Sequence, residues 1–186
     1  MLLLLSLMNM NGVVNQNNIC NNIQTIHKVS SQYKIDSTLL VSMLWIESAF
    51  TADIVGYTGK ACGISQVIPK WSSEYKRYKS YKKRKLERKR VCDKLNRDTS
   101  FAIKESGRIL NLYRKFYKKK RLYLCGYNKG YRCNNKNPKL LKSGLSYANE
   151  IIHFQKRLKR QIRKEKKKYK RLGKVFVSVI EKLNIL

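Results

Sequence analysis

The segment from Thr38 to about Phe50 constrains the fold more than any other part of the chain. Leu39, Leu40, Met43, Leu44 and Ile46 put apolar side chains on nearly every side of a helical period. A helix that is apolar almost all round is buried almost all round, so the rest of the chain has to build a domain about it. Asp36 and Ser37 supply oxygens able to cap its first turn. Glu47 lies near its far end, in WIESAF, beside Trp45, Ile46 and Phe50. Burial among such groups disfavours the ionised carboxyl and raises its pKa, which leaves a proton available near neutral pH. Two roles stand open at this point: a general acid, or a helix-end glutamate that faces solvent or pairs with a lysine.

Around this segment the patterning is helical. Ile19, Ile23, Ile26, Val29 and Tyr33 follow one face, and Asn9 to Asn18 reads as a polar linker before them. Thr51 to Gly63 reads as a loop. Asp98 and Thr99 look like caps for a long helix carrying Ala102, Ile103, Leu110, Tyr113 and Tyr117. Leu122 to Asn128 is a short apolar-aromatic segment ended by Gly130. Ser143 or Ser146 is expected to open a last helix through Tyr147, Ile151 and Phe154, which runs on into a basic amphipathic tail with Gly173 as a break point. No strand-like alternation and no internal repeat is present, so the expected fold is mostly α. The expected division is residues 1–18 as an apolar and Asn-rich N-terminal segment, 19–155 as the domain, and 156–186 as the basic helical tail.

Charge bears on partners more than on fold. There are 42 Lys and Arg against 11 Asp and Glu, a formal net charge of +31. Such a chain attracts polyanions: nucleic acid, a membrane surface or anionic wall polymers. The basic runs Lys76 to Arg90, Arg114 to Arg121 and Lys156 to Lys174 are either docking elements or simply solvated surface. Met1 to Met8 is apolar but far too short to span a bilayer. It reads as the core of an export signal or as a frayed apolar terminus. Five cysteines without a CxxC, accompanied only by His27 and His153, argue against a metal site, and no cofactor is expected. In an oxidising compartment Cys125 could pair with Cys133 across a Gly-rich turn, and Cys62 with Cys92. Free buried thiols are the alternative for both, and one thiol must stay unpaired.

Further motifs surround the carboxylate in sequence. Gly59 to Pro69 reads GKACGISQVIP, Cys125 to Gly130 reads CGYNKG, and Tyr147 begins YANEI. Glycines let backbone approach a ligand, while amides and aromatic faces suit N-acetylated sugars. Glu47-Ser48, then GxSQxxP, then GYNKG, then YAN, in that order, resembles the soluble lytic transglycosylases of the lysozyme-like superfamily. The stretch DTSFAIKESGRIL from Asp98 also resembles that family, and the likeness extends roughly from Ile19 to Phe154. Ile64-Ser65 and Gly126 depart from the family's Leu-Met and Ala. The resemblance implies a lysozyme-like domain acting on peptidoglycan glycan strands, in the cell envelope, after secretion, or carried by a phage particle or secretion apparatus. It implies that Glu47 is the catalytic acid, that Ser48 lines the cleft, that Gln66 binds glycan, that Tyr127 and Asn128 form the Tyr-Asn pair, and that Tyr147 hydrogen-bonds the catalytic carboxyl. It also implies cleavage between N-acetylmuramic acid and N-acetylglucosamine with a 1,6-anhydro product. Asp53 is the only nearby second carboxylate, and would be needed for plain hydrolysis; a loop Asp more commonly caps backbone amides. A polyanion-binding protein on an inactive scaffold is the competing class.

Overall fold

The computed structural model describes residues 16–56, 60–133 and 138–182, with side chains described for 21–56, 60–133 and 138–172. The apolar run Met1 to Met8, the side chain of Cys20 and the tail side chains beyond Leu172 lie outside these residues. Among the described residues the structure is helical, with only isolated bridges of Cys62 to Val55 and Val67. The helices are α1 (Gln16–Tyr33), α2 (Ser37–Ser48), α3 (Tyr81–Arg97), α4 (Thr99–Tyr117), α5 (Lys120–Lys129) and α6 (Pro138–Lys182). Short 3₁₀ turns occupy Pro69–Trp71 and Gly130–Arg132.

Helix α2 is the buried axis that its composition demands. Leu39, Leu40, Val41, Met43 and Leu44 are all in the core, enclosed by α1 and α6. The Asp36 carboxylate caps its start, accepting from Thr38 N at 2.9 Å. Its end is abrupt. Ala49 and Phe50 both take left-handed backbone angles, φ 48° and 63°, which non-glycine residues seldom adopt. Phe50 is completely buried, and its packing holds this turn where Glu47 and Ser48 leave the helix. The ring of Trp45 stacks on Phe154 of α6 at 5.6 Å, which locks the same end of α2 to the last helix.

Helix α4 begins where the sequence indicates, with the Asp98 carboxylate accepting from Phe101 N at 2.8 Å. Several details of the helices differ from expectation. Most of the basic run Lys76 to Arg90 belongs to α3. Glu87, Val91 and Leu95 recur one helical turn apart and form its buried stripe, while the lysines and arginines point outward. The last helix starts at Pro138, a residue suited to a first helical position, rather than at Ser143 or Ser146. That helix passes Gly173 without a break and crosses residues 155 and 156 as one continuous element. The first helix begins at Gln16, inside the expected linker.

Glu87 anchors the basic helix. Its carboxylate accepts from Lys76 N at 2.9 Å and from Arg90 Nε at 3.0 Å. The Arg90 guanidinium, more than any other group, holds its pKa down, to about 2. A carboxyl with a lowered folded-state pKa stabilises the fold above its ordinary pKa and loses that contribution as pH falls toward the folded value. Thermal unfolding should therefore show stability declining between about pH 4.5 and pH 2. Glu87→Gln should be less stable than wild type at neutral pH and flatter across that window. An unchanged acid limb in the variant would contradict the anchor.

Candidate active site

The floor of the site is one loop, Cys62 to Val67, held between α2, α3, α4 and α5. Gly63 N donates to Ile54 O, and Gln66 N closes a tight turn onto Gly63 O, both at 2.9 Å. Ser48 Oγ donates to Ile64 O at 2.7 Å. Ser65 Oγ donates to Ala102 O of α4 at 2.8 Å, and Tyr127 Oη of α5 donates to Ser65 O at the same distance. Gln66, at φ 46°, directs Nε2 to Ile54 O and Gly63 O at 3.1 and 3.0 Å. A disulfide between Cys62 and Cys92 ties the loop to α3, and a second joins Cys125 to Cys133 beyond the end of α5. Closing the loop between Cys62 and Cys92, 30 residues apart, contributes about 3–4 kcal/mol through the unfolded chain.

These contacts revise several sequence expectations. Ser48 is buried, and its hydroxyl serves the loop backbone. Gln66 does line the cleft, but its amide protons are committed to the loop, which leaves Oε1 as its remaining polar atom. Tyr127 lines the cleft with its ring while its hydroxyl holds Ser65. Asn128 is exposed at the cleft wall. Asp53 is exposed and lies off the cleft. Gly126, where alanine would be usual, faces Tyr113 and Tyr117; a Cβ there would come within 2.8 Å of the Tyr117 ring. The rings of α4 fill the space a methyl would take.

The cleft itself encloses about 740 Å³. Glu47 is the one carboxylate lining it among the described residues. Tyr147 Oη, from α6, donates to Glu47 Oε1. Burial is the dominant influence on Glu47 and pushes its pKa up to about 7, against the opposing hydrogen bond from Tyr147. Tyr147 is itself raised well above its ordinary value, by burial first and then by the Glu47 charge, so it remains a proton-bearing donor. A carboxyl poised near neutral pH at the base of an open cleft, with one oxygen fixed by a phenol, can give up a proton and take one back.

Sequence motifs did not indicate Trp71 and Tyr131. Both rings line the cleft, 39% and 43% exposed, one from each of the two 3₁₀ turns. Exposed aromatic faces flanking a polar floor suit the apolar faces of sugar rings. Their one sequence signal is position: each follows a basic or glycine residue just beyond a motif. Residues 24–149, well over half of the chain, match the family model described as Transglycosylase SLT domain. No curated protein and no solved structure matches the chain.

Proposed function

The chain belongs to the transglycosylase SLT domain family, with its mostly α, lysozyme-like architecture, and from that premise we propose that it cleaves the β-1,4 bond between N-acetylmuramic acid and N-acetylglucosamine without consuming water. The observation that carries this reading is a cleft with one carboxylate among the described residues, its pKa raised by burial to about 7.

The bond order of events follows from one proton carrier. Glu47 gives its proton to the glycosidic oxygen, and the bond from that oxygen to C1 of the muramyl ring breaks. The substrate's own acetamido oxygen stabilises the electron-poor C1, so no protein nucleophile is required. Glu47, now ionised, removes the proton of the muramyl C6 hydroxyl, and that oxygen bonds to C1. The product is a 1,6-anhydro ring, and Glu47 ends protonated as it began. Most glycosidases use two carboxylates. Plain hydrolysis would instead deliver water to C1, with the ionised Glu47 taking its proton; Asp53, the other nearby carboxylate in sequence, is exposed and is not among the residues lining the cleft. The inactive-scaffold reading accounts for the basic runs but has no use for a protonated acid in an open cleft.

Tyr147 serves as a positioning residue, holding Oε1 and thereby orienting the other oxygen toward substrate. Because activity needs protonated Glu47, kcat/KM should fall as pH rises through about 7. Tyr147→Phe removes the contact that opposes the rise. It should lower the rate about five- to tenfold and move the basic limb to higher pH. An unmoved limb would remove either Tyr147 or Glu47 from this account.

A further inference from the structure

The charges of the cleft are lopsided in a way that the bond-breaking step does not use. Lys60 and Lys70 line it from the loop wall, Lys129 and Arg132 from the end of α5 and the turn that follows. None of the four forms an ion pair with a carboxylate among the described residues. Lys70 sits over the Trp71 ring at 5.3 Å, and Arg132 Nε makes only a long contact of 3.4 Å to Lys129 O. Elsewhere the scarce carboxylates Asp36, Glu74, Glu87, Asp93 and Glu105 are all paired with lysine or arginine. No lysine or arginine is among the groups that shift Glu47. The four cations therefore line the cleft without a carboxylate partner among the described residues.

We infer that these residues read the substrate, selecting glycan strands whose muramyl residues carry free carboxylates on their peptide stems over strands that are uncharged. The inference rests on the proposed glycan-cleaving reading and adds the substrate class. A bare sugar backbone offers rings and amides, which Trp71, Tyr131 and Asn128 can meet. It offers nothing for four cations that line one cleft without a carboxylate partner among the described residues. A muramyl ring bound at Glu47 would bring the carboxylates of its stem near Lys60, Lys70, Lys129 or Arg132, which line the same cleft. Exposed ion pairs are individually weak, so discrimination is spread over several contacts and falls with added salt.

The test uses the full chain carrying Glu47→Gln, so that binding is read without turnover. Its affinity is measured for muropeptide strands with free stem carboxylates, for the same strands with those carboxylates amidated, and for chitooligosaccharides. The expected preference is about tenfold for the charged strand over the amidated one. Adding Lys60→Gln, Lys129→Gln and Arg132→Gln should bring that ratio close to one. Adding Lys82→Gln, Lys83→Gln and Lys85→Gln on the outer face of α3 removes as much charge and should leave the ratio in place. Equal loss in both sets would mean bulk attraction by a basic protein and would overturn the inference, as would a ratio near one at the outset. The cleavage reading is judged separately, by whether the chain with Glu47 intact releases anhydro ends from either strand.

Discussion

Glu47→Gln should abolish wall-lysing activity and at the same time make the folded protein more stable above neutral pH. Loss of a general acid costs on the order of 10²–10⁴-fold, and here the same group also serves as the base, so the upper part of that range is expected. The stability gain has the same origin. The Glu47 carboxyl holds its proton up to about pH 7 when folded, against an ordinary value of 4.5. Between those two values the folded chain keeps a proton that the unfolded chain releases, so wild-type stability falls as pH rises through that window and then levels. Glutamine fills the same space without ever ionising. The difference between the proteins should be small near pH 4.5 and grow to at most about 2–3 kcal/mol above pH 7. Thermal melts at pH 5 and pH 8, beside a turbidity assay on purified walls, read both effects. A variant that is inactive because it is unfolded fails the first measurement, and one that retains wild-type activity ends the assignment of Glu47.

Gly63→Ala should be the most damaging single methyl in the molecule. Gly63 has φ 73°, and a Cβ there would lie 2.2 Å from Leu95 O and 2.8 Å from Leu95 C. The obstacle is helix backbone, which cannot swing aside as a side chain can. A left-handed alanine costs about 1–2 kcal/mol, and forcing apart two packed backbones costs about 1–3 kcal/mol more. For a chain of this length that corresponds to a fall in Tm of roughly 10 °C. The loop also positions Ile64 O, Ser65 O and the Gln66 amide, so displacement reaches the cleft. Displacements of about 1 Å at a catalytic site cost on the order of 10²-fold in rate. Activity measured well below the lowered Tm should therefore still be depressed. A Tm within 2 °C of wild type, roughly half a kcal/mol, would show that the loop does not seat on α3 as described.

The two effects show what the sequence made legible. The all-apolar pattern of α2 fixes a buried helix, and its carboxylate inherits that burial; both facts are present in one short segment. Capping by Asp36 and Asp98 is likewise local, because a side chain reaches only a few residues ahead. Helix α3 escaped notice for a physical reason. Its buried stripe contains Glu87, Val91 and Leu95, and a carboxylate paired with Arg90 does not register as a core residue in a run of lysines. The roles of Ser48, Gln66 and Tyr127 were hidden differently. A hydroxyl or amide that can meet a sugar can equally meet a carbonyl sixteen or sixty residues away. Only the folded chain reveals that these three grip the loop backbone, while Tyr147 donates to the acid as the resemblance implies. Trp71 and Tyr131 belong to neither motif nor apolar stripe, so only their position just beyond a motif marks them.

The central claim is that one carboxyl acts in turn as acid and base while the substrate closes on itself. Digestion of purified peptidoglycan in heavy-oxygen water, with mass spectrometry of the new muramyl ends, tests it most directly. The account predicts ends that are one water lighter than reducing sugars and carry no heavy oxygen. Reducing muramyl ends labelled with heavy oxygen would show that water attacks C1, and would contradict it.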